Sequence, residues 1–143
     1  MSDLDRAKEL WKTSGASVAL CRENEDITEY GRGIAPLLRL VQSGRDLNGF
    51  SAADKIVGKA AAMLFAKLGV KEVWSDVMSR AGRDFLVLHG IPAHCNMLAD
   101  NIINRSGDGI CPMEQTVIEI SDVETAYRAM QKKLNELMPK TEK

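Results

Sequence analysis

A chain of 143 residues, 45% of them hydrophobic, is long enough to bury a core and fits one domain over 1–143. A net charge of -1 and a pI near 6.1 give no electrostatic grip on nucleic acid or on an anionic membrane. The polar start Met1-Ser-Asp-Leu-Asp-Arg6 is no signal peptide, no apolar run approaches a membrane span, and Cys21, Cys95 and Cys111 suit neither a disulfide framework nor a Cys-x-x-Cys metal site. A cytoplasmic protein with reduced thiols is the expectation, with neither a metal nor any other cofactor.

Leu4, Ala7, Leu10 and Trp11 recur at helical spacing, so 3–14 is read as a helix capped by Ser2 or Asp3 and closed by Gly15. Residues 17–22 and 27–30, joined by the polar Asn24-Glu-Asp26, read as a hairpin. Ile34, Leu37, Leu38 and Val41 predict a second helix over 34–42, with Pro36 in its first turn. The stretch 51–69 reads as one central helix, polar at its start, apolar nearly all round in its second half and ended by Gly69.

Residues 71–75 suggest a strand, and Ser79 suits the cap of a helix over 80–89 whose buried side would be Ala81, Phe85 and Leu88. A further strand is expected over 91–97, then a polar stretch over 101–110 that reads as a loop or as a helix followed by a loop. Pro112 opens a short helix to about Glu119, and Val123, Ala126, Tyr127, Met130, Leu134 and Leu137 mark a last one before Pro139. The order predicts a three-layer α-β-α domain around a mixed sheet.

Two stretches could carry chemistry. Asp54, Lys55 and Lys59 crowd the expected start of the central helix, with Lys55 and Lys59 on one face and Gly58 between them. An anion held there would relieve the paired lysines, and a close ligand would account for a glycine inside a helix. A solvated first turn with a glycine needed for packing fits the same residues. In Asp108-Gly-Ile-Cys-Pro-Met-Glu114, Cys111 stands at a helix start, where the dipole favours a thiolate, and Glu114 sits in the first turn. The bland alternative is a small buried cysteine and an ordinary helix start. Asn104 and Arg105 offer polar groups beside this loop. His94 and Cys95, adjacent on a strand, point to opposite faces and make poor co-ligands.

On Arg32-Gly-Ile-Ala-Pro36, Asp54-Lys-Ile-Val-Gly-Lys-Ala-Ala-Ala62, Val77-Met-Ser79 and Ile110-Cys-Pro-Met-Glu114, the chain resembles a small bacterial family of unknown function with a cytidine-deaminase-like fold. The resemblance spans nearly the whole chain and implies a mixed sheet with the 51–69 helix packed against it. Zinc deaminases carry His-x-Glu at the start of that helix and Pro-Cys-x-x-Cys at the next. Here those places read Val57-Gly-Lys59 and Met78-Ser-Arg-Ala-Gly82, without zinc ligands or the acid/base glutamate, so zinc-dependent deamination is not expected.

Two functional readings follow. One is a binder of a small anionic nucleotide or metabolite, held by Asp54, Lys55, Gly58, Lys59, Ser79, Arg80, Asn104 and Arg105 where two helix starts converge. The other is a thiol enzyme with Cys111 as nucleophile or transfer group and Glu114 in support. The amphipathic terminal helices also leave room for a homo-oligomer.

Overall fold

The computed structural model describes residues 1–104 and 106–137; Arg105 and Pro139 lie outside them. Helix α1 (Asp3–Ser14) is followed by the hairpin β1 (Val18–Arg22) and β2 (Glu25–Glu29), then α2 (Ala35–Gln42). A β-α-β-α-β run comes next: β3 (Ser51–Val57), α3 (Lys59–Leu68), β4 (Glu72–Ser79), α4 (Arg80–Leu88) and β5 (Ala93–Ala99). Helices α5 (Pro112–Val117) and α6 (Val123–Leu137) complete the described chain. The five strands form one mixed sheet in the order β2-β1-β3-β4-β5, antiparallel on both sides of β1 and parallel from β3 to β5.

Helix α1 covers one face of the sheet. Its Ser2 cap accepts from the Asp5 N–H and Gly15 ends it with φ 73°. Ala7, Leu4, Leu10 and Trp11 close over Cys21, Ala53 and Trp74, with the two tryptophan rings edge to face at 5.3 Å. The other face carries the larger core, in which α3 is buried almost all round between α2, α4, α5 and α6. This is the three-layer α/β arrangement that the sequence predicts.

The central element differs from its expectation. Residues 51–57 are a strand, and the helix begins only at Lys59, with Gly58 as its extended N-cap. Ser51, Ala52 and Ala53 are fully buried between α1 on one side and the α3 layer on the other. Small side chains suit a strand pressed on both faces, so tertiary packing overrides alanine's preference for helix. Asp54 and Lys55 therefore lie on a strand, and Lys55 shares no helix face with Lys59.

Helix α4 also turns a different side inward. Gly82, Phe85 and Leu86 are buried, whereas Ala81 and Leu88 are exposed. Both sets have helical spacing and share Phe85. The close seat of Gly82 on the backbone of Gly58 selects the first set.

The three parallel strands change face together. Ala52 and Val57, Val73 and Met78, and Ala93 and Leu98 all pack toward the helix-side core, although residues five apart on a regular strand point to opposite faces. The switch falls where the ladder omits Lys55–Asp76 and Asp76–Asn96. Beside it, Asp54 accepts the Lys55 N–H at 2.7 Å, the Ser75 hydroxyl donates to the Val77 carbonyl at 2.9 Å, and Asn96 donates to Asp76 at 2.9 Å. These side-chain bonds serve polar groups where the ladder is interrupted.

Candidate functional site

Parallel α/β sheets place their sites beyond the carboxyl ends of the strands. Here those ends are Val57–Gly58, Ser79 and Ala99–Asp100, where α3 and α4 start. The two starts converge so tightly that a Cβ on Gly82 would lie 2.9 Å from the Gly58 carbonyl carbon and 3.0 Å from the Val57 and Gly58 oxygens. Ser79, buried at the end of β4, uses its hydroxyl to cap α4 through the Gly82 N–H at 2.9 Å.

A third element reaches the same point. The Glu114 carboxylate, from the first turn of α5, accepts the N–H of Lys59 at 2.8 Å and of Ala60 at 2.9 Å. It takes the position that an external anion would occupy at the start of α3. Gly58 is explained by the same contact: a Cβ there would stand 2.5 Å from the Glu114 carboxyl carbon and both its oxygens. Its backbone is extended, at φ -101° and ψ -169°, so the glycine is required by space and not by an unusual conformation. Burial raises the Glu114 pKa above its ordinary value, opposed by the Ala60 and Lys59 N–H groups and then by the Lys59 charge.

The Lys59 ammonium donates to the Ile118 carbonyl at 3.3 Å, where α5 ends. Cation and carboxylate thus clasp both ends of α5 against the start of α3. Lys55 is exposed on β3, and Arg80 pairs with Asp100 at 2.9 Å in an ion pair open to solvent. Asp54 has a pKa raised from 3.8 to about 7 by burial, opposed by the N–H groups of Lys55 and Ile56.

The Cys111 stretch is tied to its neighbours by backbone bonds and packing. Its N–H donates to Ile102 at 2.9 Å and its carbonyl accepts from Gln115 at 3.0 Å, while the half-buried side chain packs against the main core. Asn104 organises the loop ahead of it, accepting from Gly107 at 2.9 Å and Asp108 at 3.2 Å and donating to Asp108 at 3.1 Å. His89 stacks on Phe85 with its ring nitrogen 2.9 Å from the Phe85 carbonyl. Among the described residues no group of three or more His, Cys, Asp or Glu side chains is placed to hold a metal ion, and no helix is long and apolar enough to cross a membrane.

Of the residues singled out from sequence, Gly58, Lys59, Ser79 and Glu114 meet at this junction, and Lys55 and Arg80 lie exposed on the strand and helix that lead to it. Asn104 instead holds its own loop. The Glu114–α3 contact joins residues more than fifty positions apart and has no local sequence signature.

No curated protein matches the chain. A crystal structure of a DUF1893 family protein from Thermotoga maritima is similar at 24% identity with a TM-score of 0.85, covering 93% of this chain and 91% of that one. The family model for the domain of unknown function DUF1893 matches residues 6–134. The chain belongs to the DUF1893 family.

Proposed function

We propose that this protein binds a small anionic metabolite, bearing a phosphate or carboxylate, where β3 and β4 end. In this reading Glu114 is the built-in occupant of the anion position and the ligand exchanges with it. The observation that carries it is the buried Glu114 carboxylate held by the Lys59 and Ala60 N–H groups. Burial makes the ionised carboxylate costly to keep there, as the direction of its pKa shift reflects, so returning it to water offsets part of the cost of displacement. Lys55 and Arg80 supply exposed cations for an incoming anion. On the deaminase-like scaffold that the sequence resembles, Val57-Gly-Lys59 and Met78-Ser-Arg-Ala-Gly82 in place of the zinc motifs fit binding without deamination.

Thermal-shift measurements with inorganic phosphate, nucleoside monophosphates and dicarboxylates test this on the wild type, Glu114→Gln and Lys55→Ala/Arg80→Ala. Glu114→Gln weakens the internal occupant, so at least one of these anions should stabilise it more than the wild type. The double variant should respond less. No stabilisation of either wild type or Glu114→Gln by any of them overturns the reading.

A further inference from the structure

Helix α5 is tied to the rest of the domain at few points. Among the described residues, the hydrogen bonds of 112–118 that reach beyond its own neighbours in sequence all end on the first two residues of α3. Two run from the Lys59 and Ala60 N–H groups to the Glu114 carboxylate, and the third runs from the Lys59 ammonium to the Ile118 carbonyl. The others stay local: Gln115 donates to the Ile110 and Cys111 carbonyls, the Thr116 hydroxyl to Pro112 and the Ile118 N–H to Gln115. Only Met113 and Val117 are buried. A helix of six residues does not persist alone in water, so α5 is helical because it is docked.

Its flanks close without it. Ahead of α5, the Ile103–Ile110 bridge, the Asn104 bonds to Gly107 and Asp108 and the bond from the Cys111 N–H to Ile102 complete the loop. Behind it, α6 has its own cap, the Asp122 carboxylate accepting the Thr125 N–H at 2.8 Å and hydroxyl at 2.6 Å. Release of α5 therefore unravels neither neighbour.

We infer that α5 is an autoinhibitory strap, docked while Glu114 fills the start of α3 and released as a unit when an external anion takes that place. The inference rests on the binding reading above and adds its regulation. The Lys59 and Ala60 N–H groups converge on one carboxylate, so an anion held by them excludes Glu114. That anion also draws the Lys59 ammonium, which holds the far end of α5 through Ile118. One ligand thus breaks both ties, leaving only the packing of Met113 and Val117. Docking and binding compete, so whatever tightens the strap weakens the anion by the same factor.

Hydrogen exchange at single amides of the full chain tests this. Without added anion, Gln115, Thr116, Val117 and Ile118 should share one opening and exchange at least about tenfold faster than the buried Leu64 in α3. Lys59→Met removes the ammonium tie and keeps the backbone donor, and Glu114→Ala removes the carboxylate. Each should speed all four amides by at least about fivefold, while Leu64 follows only the change in global stability. Exchange of the four in step with Leu64, or a Lys59→Met effect confined to Ile118, overturns the inference.

Inorganic phosphate, nucleoside monophosphates and dicarboxylates form the second arm. An anion that raises the Tm should speed the four α5 amides by at least about tenfold while slowing Leu64. An anion that raises the Tm and leaves α5 as protected as before overturns the strap and leaves the binding reading standing. If none raises the Tm of wild type or Glu114→Gln, the binding reading falls, and the strap is decided by the exchange without anion.

Discussion

The contact between Gly58 and Glu114 can be isolated by a double-mutant cycle. In Gly58→Ala the new Cβ lies 2.5 Å from the carboxylate, well inside contact distance, and the side chain must leave the N–H groups of Lys59 and Ala60. Each hydrogen bond to a charged group is worth about 1.5–3 kcal/mol, and part of that loss is returned when the buried carboxylate reaches water. The expected destabilisation is about 2–3 kcal/mol, a fall in Tm of roughly 8–12 °C for a chain of this size. In a Glu114→Ala background nothing stands in the way of the methyl group. The same substitution then costs under about 1 kcal/mol, the ordinary penalty of alanine against glycine at an N-cap. Urea unfolding followed by the fluorescence of Trp11 and Trp74, with the slope checked for constancy, measures all four corners. A coupling below about 0.5 kcal/mol, the limit of simple additivity, refutes the account of why residue 58 is glycine.

Two other substitutions probe the same rim. Gly82→Ala drives a Cβ into backbone atoms of Val57 and Gly58, which cannot swing aside, so it should cost about 3 kcal/mol or more despite alanine's better helix propensity. Unlike Gly58→Ala, it should gain nothing from Glu114→Ala, and equal rescue in urea unfolding would contradict the geometry. Asp54 binds its proton more tightly folded than unfolded, with a pKa raised from 3.8 to about 7, so wild-type stability should fall as pH rises through that window and level off above it. At about 1.4 kcal/mol per pH unit the loss is at most about 4 kcal/mol. Asp54→Asn keeps an acceptor for the Lys55 and Ile56 N–H groups and should flatten this profile, raising stability at pH 8 and changing little near pH 4. A decline of the same size in Asp54→Asn would refute the assignment.

Helix boundaries marked by a cap were legible from sequence, although the buried side of α4 was not. Ser2 and Gly15 bracket α1, and Ser79 opens α4, where periodicity and capping chemistry point to the same boundary. Strand β3 was not, because Ser51-Ala-Ala-Asp-Lys55 has the composition of a helix start and its strand conformation comes from layers on both sides. Ile56 and Val57 ahead of Gly58 were the local clue, two β-branched residues before a helix-breaking glycine. Within the candidate site, sequence puts two helix starts at Asp54 and Ser79; α4 does begin after Ser79, whereas Asp54 lies on β3 and α3 begins only at Lys59, and Glu114 lies in the first turn of α5. Its service to another helix, and the two glycine contacts that depend on it, arise from the three-dimensional approach of α5 and could not be read from spacing.

The aligned face switch in β3, β4 and β5 ties the three strands together as a set. Removing one residue from a single strand at that level would restore strict alternation there and could keep its end residue, Val57, Met78 or Leu98, on the helix layer only by slipping one step in the ladder against neighbours that kept the extra residue. Ladder register and core packing could not both survive. A change in strand length at this level is thus tolerated only when all three strands make it together, and the rim where α3 and α4 begin moves as one block or not at all.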